Sequence, residues 1–350
     1  MENYIEIISK SKKYKVTFIN EIDELVYEFN NFKEAVIIVD NYILKKYSYL
    51  FKKINPDFSI ISLEATEQAK TLSQVELLLK SLQENNVTKS TTILAIGGGI
   101  IQDITIFISH IYYRGLDIHF FPTTLLSMCD SCIGSKCGLN FNGFKNQLGV
   151  FHPPNKVIIW LGFLQSLSTE ALYSGYGEIL KLMLISGKKN ILELKFNFSE
   201  SLEDLYNYIY QSLIIKKKFI EKDEYDRGIR RLLNYGHTFG HALELASNYV
   251  IPHGIAVARG MDIVNYTSLK LGFMSDQVYE SIHNVIKNIF FSNYSLDFCF
   301  DDLIKNVNRD KKIYKGILNL VLLKSPGNLF LHPVESNKLN NIVFDYLQLI

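Results

Sequence analysis

Residues Thr91–Asp103 read TTILAIGGGIIQD and combine two kinds of pattern. Thr91–Ile96 is a short, apolar, partly β-branched run, which is typical of a strand buried in a parallel sheet. Three glycines end this strand abruptly, and Ile100–Tyr113 follows as a predicted helix with Asp103 in its first turn. Glycines at such a turn let the backbone approach a pyrophosphate, and the helix N-terminus offers free N–H groups. A tight turn without a ligand explains the glycines equally well, since the G-x-G-x-x-G fingerprint is absent.

The same alternation of strand and helix continues on both sides of this stretch. Ala35–Val39 and Phe58–Leu63 are strand-like, and Thr71–Leu82 has helical spacing with Thr71 as its expected cap. Ile118–Phe121 is a further predicted strand, closed by Pro122. Repeated strand–helix–strand units predict a mostly parallel sheet with helices on both faces.

From Ser168 onward the periodicity becomes helical. The predicted helices are Glu170–Ser186, Leu202–Lys222, Gly236–Asn248, Ile255–Leu271 and Gln277–Ile289. A short strand, Ile317–Leu323, is expected to form a local hairpin within this helical part. A single core stops growing at roughly 250–300 residues, so a chain of 350 residues is expected to form two domains. The sequence predicts an α/β domain over residues 1–165 and a predominantly α-helical domain over residues 166–350.

The composition excludes several classes of protein. Hydrophobic residues make up 47% of the chain and charged residues 21%, which excludes a disordered chain. A net charge of +1 gives no reason to expect a nucleic-acid partner or a polybasic membrane surface. The apolar runs fall short of the ~20 residues that span a bilayer, and the N-terminus lacks the features of a signal peptide. Cys129, Cys132 and Cys137 do not resemble a secreted disulfide framework. We therefore expect a soluble, cytoplasmic protein.

The strongest local signal is the motif His237-Thr-Phe-Gly-His241, which is followed by His253 in Pro-His-Gly. Histidines at i and i+4 share one helix face, so two imidazoles can converge on one point. Catalytic zinc commonly takes three protein ligands and leaves one position open. The spacing does not decide which two of the three histidines bind a metal, and a pair without a metal is also common.

Glu178 and Lys181 are a second candidate, in the segment Tyr176–Lys181. They lie at i and i+3 on one helix face, which is usually a solvated ion pair. Here the flanking residues are apolar, so at least one of the two charges is expected to be poorly solvated and to need a partner. A carboxylate that faces a metal ion has such a partner.

The segment from Pro122 to Pro154 is predicted to be a long loop, rich in Gly, Ser and Asn. Loops of this length are uncommon unless they are functional. It contains Asp130, Lys136, Lys145 and Asn146, and lysines with asparagine in a Gly-rich loop suit a phosphate group. An ordinary solvated loop is the alternative. The C-x-x-C spacing of Cys129 and Cys132 lacks the second pair or the histidine of a zinc set.

Taken together, these blocks resemble 3-dehydroquinate synthase and its relatives, the sugar phosphate cyclases. The resemblance runs from about Asp40 to Leu323, and several blocks spread over ~200 residues are more specific than any one of them. In family order the blocks are Gly97-Gly98-Gly99 with Asp103, Tyr113-Arg114-Gly115, Pro122-Thr123-Thr124-Leu125-Leu126, Asp130-Ser131 with Gly134 and Lys136, Lys145-Asn146, Gly177-Glu178 with Lys181, Lys216, Asp223-Glu224, Arg230, Asn234 to His241, and His253-Gly254.

The resemblance implies an NAD-binding α/β domain and a helical domain that binds metal and substrate, with NAD and a divalent metal in the cleft between them. By matching position, the ligands of the metal, Zn²⁺ or Co²⁺, are Glu178, His237 and His253. His241 then contacts the substrate instead of the metal. The positions implied for NAD binding are Gly97, Gly98, Gly99, Asp103, Asp40, Glu67, Lys70, Thr123 and Thr124.

The resemblance also implies the positions that contact a small phosphorylated sugar-acid substrate. They are Asp130, Lys136, Lys145, Asn146, Lys181, Lys216, Arg230, Asn234 and His241. Arg114 corresponds to a residue that reaches the site of the neighbouring subunit, which implies a homodimer. Asp310-Lys311-Lys312 resembles a block that contacts the substrate phosphate, and the match does not decide between the two lysines.

The implied activity is that of a carbon–oxygen lyase of the shikimate pathway, which leads to aromatic amino acids. It converts 3-deoxy-arabino-heptulosonate 7-phosphate to 3-dehydroquinate, with NAD recycled in each turnover. The alternatives are a cyclase that makes a cyclitol from another sugar phosphate, a metal-dependent polyol dehydrogenase, and a catalytically silent relative.

Three departures bear on the substrate or NAD: Gln102 and Phe144 stand where the family usually has Gly, and Ser166 where it often has Thr. Phe144 is expected to narrow the substrate pocket, and Gln102 to alter NAD binding.

Overall fold

The computed structural model describes residues 4–187, 201–291, 300–308, 313–314 and 316–349. The chain divides into two compact units. Unit 1 comprises Met1–Ser168 and Lys216–Tyr225, and unit 2 comprises Thr169–Ile215 and Asp226–Ile350. The predicted boundary between residues 165 and 166 lies close to the break after Ser168. A single boundary does not describe the segment Lys216–Tyr225, which returns to unit 1.

Unit 1 is built on a sheet that is almost entirely parallel. Its strands in chain order are β1 (Tyr4–Ile8), β2 (Lys13–Ile19), β3 (Ala35–Asp40), β4 (Ser59–Leu63), β5 (Thr92–Gly97), β6 (Ile118–Pro122), β7 (Leu139–Phe141), β8 (Phe144–Leu148) and β9 (Lys156–Trp160). Seven of them form one sheet in the order β1-β2-β9-β6-β5-β3-β4. Only β1 and β2 pair antiparallel within it. The predicted parallel α/β architecture is confirmed.

Helices connect these strands. They are α1 (Ile22–Asn30), α2 (Asn41–Lys46), α3 (Ser48–Phe51), α4 (Leu72–Glu84) and α5 (Gly99–Ile111). The hydroxyl of Thr71 accepts a hydrogen bond from the N–H of Gln74 at 3.3 Å and so caps α4, as its position predicts.

The carboxyl ends of β3, β5 and β6 lie side by side at one edge of the sheet. Val39 pairs with Ile96, and Ile96 pairs with Phe121. Asp40 and Gly97 therefore end neighbouring strands at the same level. Ligands of open α/β sheets bind at this edge.

The segment between Pro122 and Pro154 is not the continuous loop that its composition predicts. It contains a π-helical turn, Ser127–Ser131, and the antiparallel hairpin of β7 and β8. Neither element has a long run of hydrophobic periodicity, so pattern alone does not reveal them.

Glu224 explains why Lys216–Tyr225 belongs to unit 1. Its buried carboxylate accepts hydrogen bonds from the hydroxyls of Ser9 (2.6 Å) and Ser135 (2.7 Å) and from the N–H of Lys10 (2.6 Å). Three donors on one buried carboxylate fasten this segment to the turn between β1 and β2.

Unit 2 is mostly helical. Its helices are α6 (Thr169–Ser186), α7 (Leu202–Lys222, of which the last residues belong to unit 1), α8 (His237–Ala246), α9 (His253–Lys270), α10 (Asp276–Phe290), α11 (Phe300–Asn308) and α12 (Ser336–Leu347). β10 (Ile313–Tyr314), β11 (Ile317–Ser325) and β12 (Asn328–Glu335) form a three-stranded antiparallel sheet, which contains the predicted hairpin. Within the ranges described, none of the helices has the length and apolar character that crossing a membrane requires.

The helix α9 is the centre of unit 2, and its residues from Gly254 to Ser268 are all buried. It contacts α6, α8 and α10. A Cβ atom at Gly177 of α6 would overlap the carbonyl group of Gly254, and one at Gly254 would overlap the carbonyl group of Ser174. The absence of side chains at these two positions therefore lets the backbones of α6 and α9 touch.

Candidate active site

Glu178, His237 and His253 form a compact cluster in unit 2. Each offers one ligand atom, and these atoms all lie within 4.8 Å of one another. Glu178 Oε1 lies 3.5 Å from His237 Nε2 and 3.3 Å from His253 Nε2. Glu178 is on α6 directly after Gly177, and the two histidines are the first residues of α8 and α9. The close approach of α6 and α9 thus brings the three side chains together.

The outer nitrogen of each imidazole has its own partner. His237 Nδ1 lies 3.2 Å from the carbonyl oxygen of Tyr235, and His253 Nδ1 lies 3.3 Å from Glu244 Oε2. A carbonyl oxygen only accepts, so Nδ1 of His237 donates and its Nε2 keeps a free lone pair. Such outer partners fix the tautomer and the orientation of imidazoles that bind metals.

Burial and neighbouring charges together set the pKa values of this cluster. Burial, together with the Lys181 ammonium, lowers the pKa of His237 to about 3. Burial alone would lower the pKa of His253, but the Glu244 and Glu178 carboxylates outweigh it and raise this pKa to about 9. Burial alone would raise the pKa of Glu178, but Lys181 and His237 hold it well below its usual range.

Lys181 is buried and lies against Glu178 Oε2. The predicted ion pair on α6 is therefore real and shielded from water. Both oxygens of Glu178 are buried, and within the described ranges neither accepts a hydrogen bond of good geometry. Glu178 Oε1 and the Nε2 atoms of His237 and His253 are therefore the closely spaced ligand atoms that a cation could bind.

His241 lies next to both of these histidines. Its ring centroid is 5.4 Å from that of His237 and 5.8 Å from that of His253. His241, Glu244 and His253 also offer ligand atoms within 4.8 Å of one another. The three histidines thus lie close together, and the Nε2 atoms of His237 and His253 lie 3.5 Å and 3.3 Å from Glu178 Oε1.

In unit 1, the glycine turn opens onto the N-terminus of α5. Gly98 precedes the helix, and no side chain caps the first turn. A Cβ atom at Gly98 would lie 3.1 Å from Thr124 Cγ2, and one at Gly99 would lie 3.3 Å from Ser131 Oγ. Free N–H groups at the start of a 13-residue helix are suited to an anion.

A polar cluster that we name the Lys70 cluster lies beside this turn. Lys70 Nζ is 2.7 Å from Asp103 Oδ2 and donates to Asn146 Oδ1 at 3.1 Å. Glu67 Oε1 lies 3.8 Å from Lys70 Nζ and 3.7 Å from Lys145 Nζ. Burial raises the pKa of Asp103 although Lys70 opposes it. Five predicted positions therefore meet within unit 1.

Other predicted positions of unit 1 have partners of their own. Lys216 Nζ lies 3.0 Å from Asp130 Oδ1 and donates to the carbonyl oxygen of Asp130 at 2.6 Å. Asp40 caps α2 by accepting from the N–H of Tyr42 at 2.9 Å, and burial raises its pKa. Thr124 Oγ1 donates to Ser127 Oγ at 2.9 Å.

The remaining predicted positions differ in how far water reaches them. Thr123 is buried, and Lys136 and Arg114 are exposed. Arg230 is buried in the 3₁₀ segment Ile229–Asn234, which leads towards α8 and also carries Asn234. Asp310, Lys311 and Lys312 lie outside the described residues.

Comparison with known proteins agrees with the residue pattern. The family model for the 3-dehydroquinate synthase N-terminal domain matches residues 60–174, and that for the 3-dehydroquinate synthase C-terminal domain matches residues 175–313. A 3-dehydroquinate synthase of Helicobacter pylori is 35% identical over 331 residues, which are 92% of this chain and 93% of that protein. The chain belongs to the 3-dehydroquinate synthase family.

Solved structures of sugar phosphate cyclases share the fold. A 2-deoxy-scyllo-inosose synthase, solved with carbaglucose-6-phosphate, NAD⁺ and Co²⁺, has a TM-score of 0.89 at 24% identity and covers 98% of this chain and 99% of its own. A 2-epi-5-epi-valiolone synthase of Streptomyces hygroscopicus, solved with NAD⁺ and Zn²⁺, has a TM-score of 0.84 at 20% identity, with coverage of 98% and 99%. The predicted fold class is therefore confirmed.

The departures from the family pattern have distinct surroundings. Gln102 is buried on α5, and its Oε1 accepts a hydrogen bond from Ser131 Oγ at 2.6 Å. Phe144 is 44% exposed at the start of β8. Ser166 donates to the carbonyl oxygen of Phe163 at 3.0 Å.

Glu244 and Asn140 are missing from the predicted site. Glu244 follows His237 by seven residues and His241 by three, so helical spacing already places it on the same face of α8. Asn140 donates to Glu67 Oε1 at 2.8 Å and accepts from the N–H of Asn146 at 3.0 Å. No sequence signal links Asn140 to Glu67, because 73 residues separate them.

Proposed function

We propose that this chain is a phosphate-eliminating cyclase that converts 3-deoxy-arabino-heptulosonate 7-phosphate to 3-dehydroquinate with catalytic NAD and a divalent metal ion. The observation that carries the proposal is the cluster of Glu178, His237 and His253 in a chain of this family. The reaction class is that of a carbon–oxygen lyase acting on a phosphate ester.

The residues present fit a metal ion. One carboxylate and two imidazoles suit Zn²⁺ or Co²⁺. Glu178 holds two buried oxygens without a hydrogen bond of good geometry in the described residues, and the Nε2 atoms of His237 and His253 point to the same place. We assign the metal ligands to these three residues, with Tyr235 and Glu244 as the partners that orient the imidazoles.

The glycine turn fits NAD. Gly98 and Gly99 lie so close to Thr124 and Ser131 that larger side chains would fill the space above the helix N-terminus. Free N–H groups there suit a pyrophosphate. We assign NAD binding to the turn and the residues near it: Gly97, Gly98, Gly99, Asp103, Asp40, Glu67, Lys70, Thr123 and Thr124.

When bound, NAD accepts and returns a hydride, and the metal ion polarises the oxygen of the substrate that is oxidised. Side chains of the protein supply the charge compensation, the proton transfer and the positioning. Lys181 keeps Glu178 ionised and ready for a cation. His241 lies beside the ligand histidines, where its ring nitrogens can hold or move a proton of the substrate. Lys216 holds Asp130 in place by two contacts.

The substrate contains a phosphate and a carboxylate, and the chain offers cations for both. We assign the carboxylate to Arg230 and Lys216, because a guanidinium recognises carboxylates with two parallel hydrogen bonds. We assign the phosphate-bearing end to Lys136, Lys145 and Asn146. Asn234 and His241 complete the substrate positions.

A cyclase that acts on a different sugar phosphate is the second candidate, and Gln102 and Phe144 favour it because they depart from the family pattern. A polyol dehydrogenase would not need a cluster of lysines and Arg230 for a phosphorylated acid. A catalytically silent relative would have no reason to retain Glu178, His237 and His253.

Phosphate release decides between the two cyclase functions. The purified protein, with metal and catalytic NAD, is given 3-deoxy-arabino-heptulosonate 7-phosphate, sedoheptulose 7-phosphate and glucose 6-phosphate in parallel, and each product is identified by mass. The proposal expects the acid to have the highest kcat/KM.

Arg230→Ala should lower that kcat/KM by roughly 10- to 150-fold and leave NAD affinity unchanged. Arg231→Ala is the matched control. A wild-type preference for a sugar without a carboxylate would contradict the proposal.

We also propose that the enzyme is a cytoplasmic homodimer. Arg114 is exposed next to exposed apolar residues, Ile111 and Tyr113, which suits a subunit contact. The proposed substrate is a phosphorylated metabolite of the cytoplasm. Light scattering should give twice the mass of 40.3 kDa, and a monomer with full activity would contradict the dimer.

A further inference from the structure

Gln102 is a polar residue on the buried face of α5, where Ile101 and Ile104 are also buried. It lies on α5, one turn after Gly98, and is only 2% exposed. Its Oε1 accepts from Ser131, whereas its Nε2 is buried without a hydrogen-bond partner in the described part of the chain. A buried amide with an unused donor costs stability relative to an apolar side chain of the same size. Folding stability alone therefore does not explain Gln102.

The partner of Gln102 belongs to the turn that holds Asp130. Ser131 is the last residue of the π-helical turn, directly after Asp130. Lys216 contacts both the carboxylate and the carbonyl oxygen of Asp130. The turn is thus held by α5 through Gln102 and by the end of α7 through Lys216, all within unit 1.

The same turn lies across the glycines. Thr124, just before it, is 3.1 Å from the position of a Cβ atom at Gly98, and Ser131 Oγ is 3.3 Å from that at Gly99. Thr124 and Ser127 hydrogen-bond to each other and so fasten the start of the turn. The Gln102–Ser131 bond is the corresponding attachment at its end.

We propose that Gln102 is a positioning residue, which acts through Ser131 to hold Asp130 and Lys216 in the geometry that the substrate requires. This inference rests on the proposed function, because it takes Asp130 and Lys216 as substrate contacts. We assign its effect to the substrate because Ser131 directly follows Asp130 in the turn, and Asp130 is the residue that Lys216 contacts.

The test compares Gln102→Met, which keeps the volume and removes the hydrogen bond, with Gln102→Glu, which keeps an acceptor for Ser131. Gln83→Met, at an exposed position of α4, is the matched control. In phosphate-release assays, Gln102→Met should raise the KM of the preferred sugar phosphate about 5- to 20-fold, the effect of one lost hydrogen bond. The dissociation constant of NAD, measured by calorimetry, should change less than about twofold. Gln102→Glu should recover most of the KM.

Ser131→Ala provides a second test, which asks whether Gln102 acts through Ser131. If the two residues act as a pair, the double variant Gln102→Met with Ser131→Ala should be no worse than either single variant. Additive losses, or an unchanged KM in Gln102→Met, would overturn the inference while wild-type phosphate release leaves the proposed function intact. An equal rise in the dissociation constant of NAD would also overturn it. If the wild-type protein released no phosphate from any sugar phosphate, the proposed function would fail, and this inference with it.

Discussion

The cluster of Glu178, His237 and His253 in unit 2, which we call the metal cluster, includes an ion pair with Lys181. It and the Lys70 cluster of unit 1 both combine carboxylates with cations. They differ in how far water reaches the charged groups and in how many partners those groups have. Glu178 and Lys181 are almost completely shielded, with side chains 1% and 3% exposed, whereas Asp103 and Glu67 are 23% and 21% exposed. In the Lys70 cluster, nearly every charge already has an opposite charge or an amide beside it. In the metal cluster, the carboxylate oxygens lack hydrogen bonds within the described residues.

This difference determines how each cluster responds to the loss of a bound ligand. A cluster whose charges are compensated and partly hydrated exchanges one partner for another at low cost. Lys181 compensates the buried Glu178 carboxylate at Oε2, whereas Oε1 faces the two imidazoles, and a bound cation would add the compensation that is missing there. We therefore expect the metal cluster to depend strongly on its ligand, and the Lys70 cluster to tolerate the loss of its ligand.

Removal of the metal tests this contrast most strongly. EDTA treatment, or Glu178→Gln, should lower turnover by roughly a thousandfold or more, because three ligands are needed to hold the ion. Elemental analysis should find about one divalent ion per chain in the wild-type protein and almost none in the variant. His332→Ala, which removes an imidazole outside the cluster, is the control. Full activity in a rigorously metal-free preparation would contradict the metal assignment.

Lys181→Met should destabilise the metal-free protein by about 3–5 kcal/mol, since it leaves the Glu178 carboxylate buried and uncompensated. Added zinc should restore most of this loss. The measurement is urea unfolding of chelator-treated and reloaded protein. Lys70→Met is the comparison in unit 1 and should cost about 1 kcal/mol, because Asp103 keeps access to water. Equal losses for the two variants would remove the contrast between the clusters.

Glu244→Ala should weaken metal binding about 10- to 100-fold, because the imidazole of His253 loses the partner that orients it. Glu244→Gln keeps an acceptor at the same place and should recover part of the affinity. Competition with a chelator measures both constants. If both variants bind as the wild type does, Glu244 has no orienting role.

Asp103→Ala should raise the dissociation constant of NAD roughly tenfold, the effect of one contact in a partly hydrated cluster. The protein should stay folded, since Lys70 retains Glu67 and Asn146 as partners. Calorimetric titration with NAD gives the constant, and Asp57→Ala, at an exposed turn, is the control. Unchanged affinity would remove Asp103 from the NAD site.

The smallest expected effect concerns acid stability in unit 1. Burial, together with nearby Lys156, lowers the pKa of His119 to about 4. In the unfolded chain a histidine takes up its proton near pH 6.5. These pKa values set an upper limit of about 3 kcal/mol at pH 4. Because His119 is only partly buried, we expect the free energy of unfolding to fall by about 1–2 kcal/mol as the pH falls from 6.5 to 4. In His119→Phe, which retains the ring contact with Phe32, urea unfolding should show a flatter dependence on pH. An identical slope in both proteins would exclude this role.

Local sequence patterns predict those strands and helices whose hydrophobic periodicity continues over many residues or whose ends carry a clear boundary residue. The run before Gly97 is a strand and Thr71 is a cap because neighbours in the chain decide both. Contacts between distant residues are not predictable in this way. The spacing of His237 and His241 indicates a shared face, but only the touching backbones of α6 and α9 show that Glu178 faces His237 and His253.

The sites that pattern reasoning missed share a physical cause. Glu244 and Asn140 act through hydrogen bonds to residues of other elements, and such contacts leave no pattern in a sequence, although helical spacing does place Glu244 on the face of His237 and His241. The resemblance to a family supplied the ligand set that spacing left open, but it did not supply the bond between Gln102 and Ser131, because Gln102 departs from the family pattern.

The attachment of Lys216–Tyr225 to unit 1 has a consequence for synthesis on the ribosome. Residues up to Ser168 emerge first, but Glu224, the acceptor for Ser9 and Ser135, follows 56 residues later. At about 5–20 residues per second, that delay lasts roughly 3–10 seconds. During this time the nascent α/β unit has every strand of its sheet but lacks its last fastening. A chaperone that binds the turn between β1 and β2 could act in that interval, until Glu224 reaches Ser9 and Lys10.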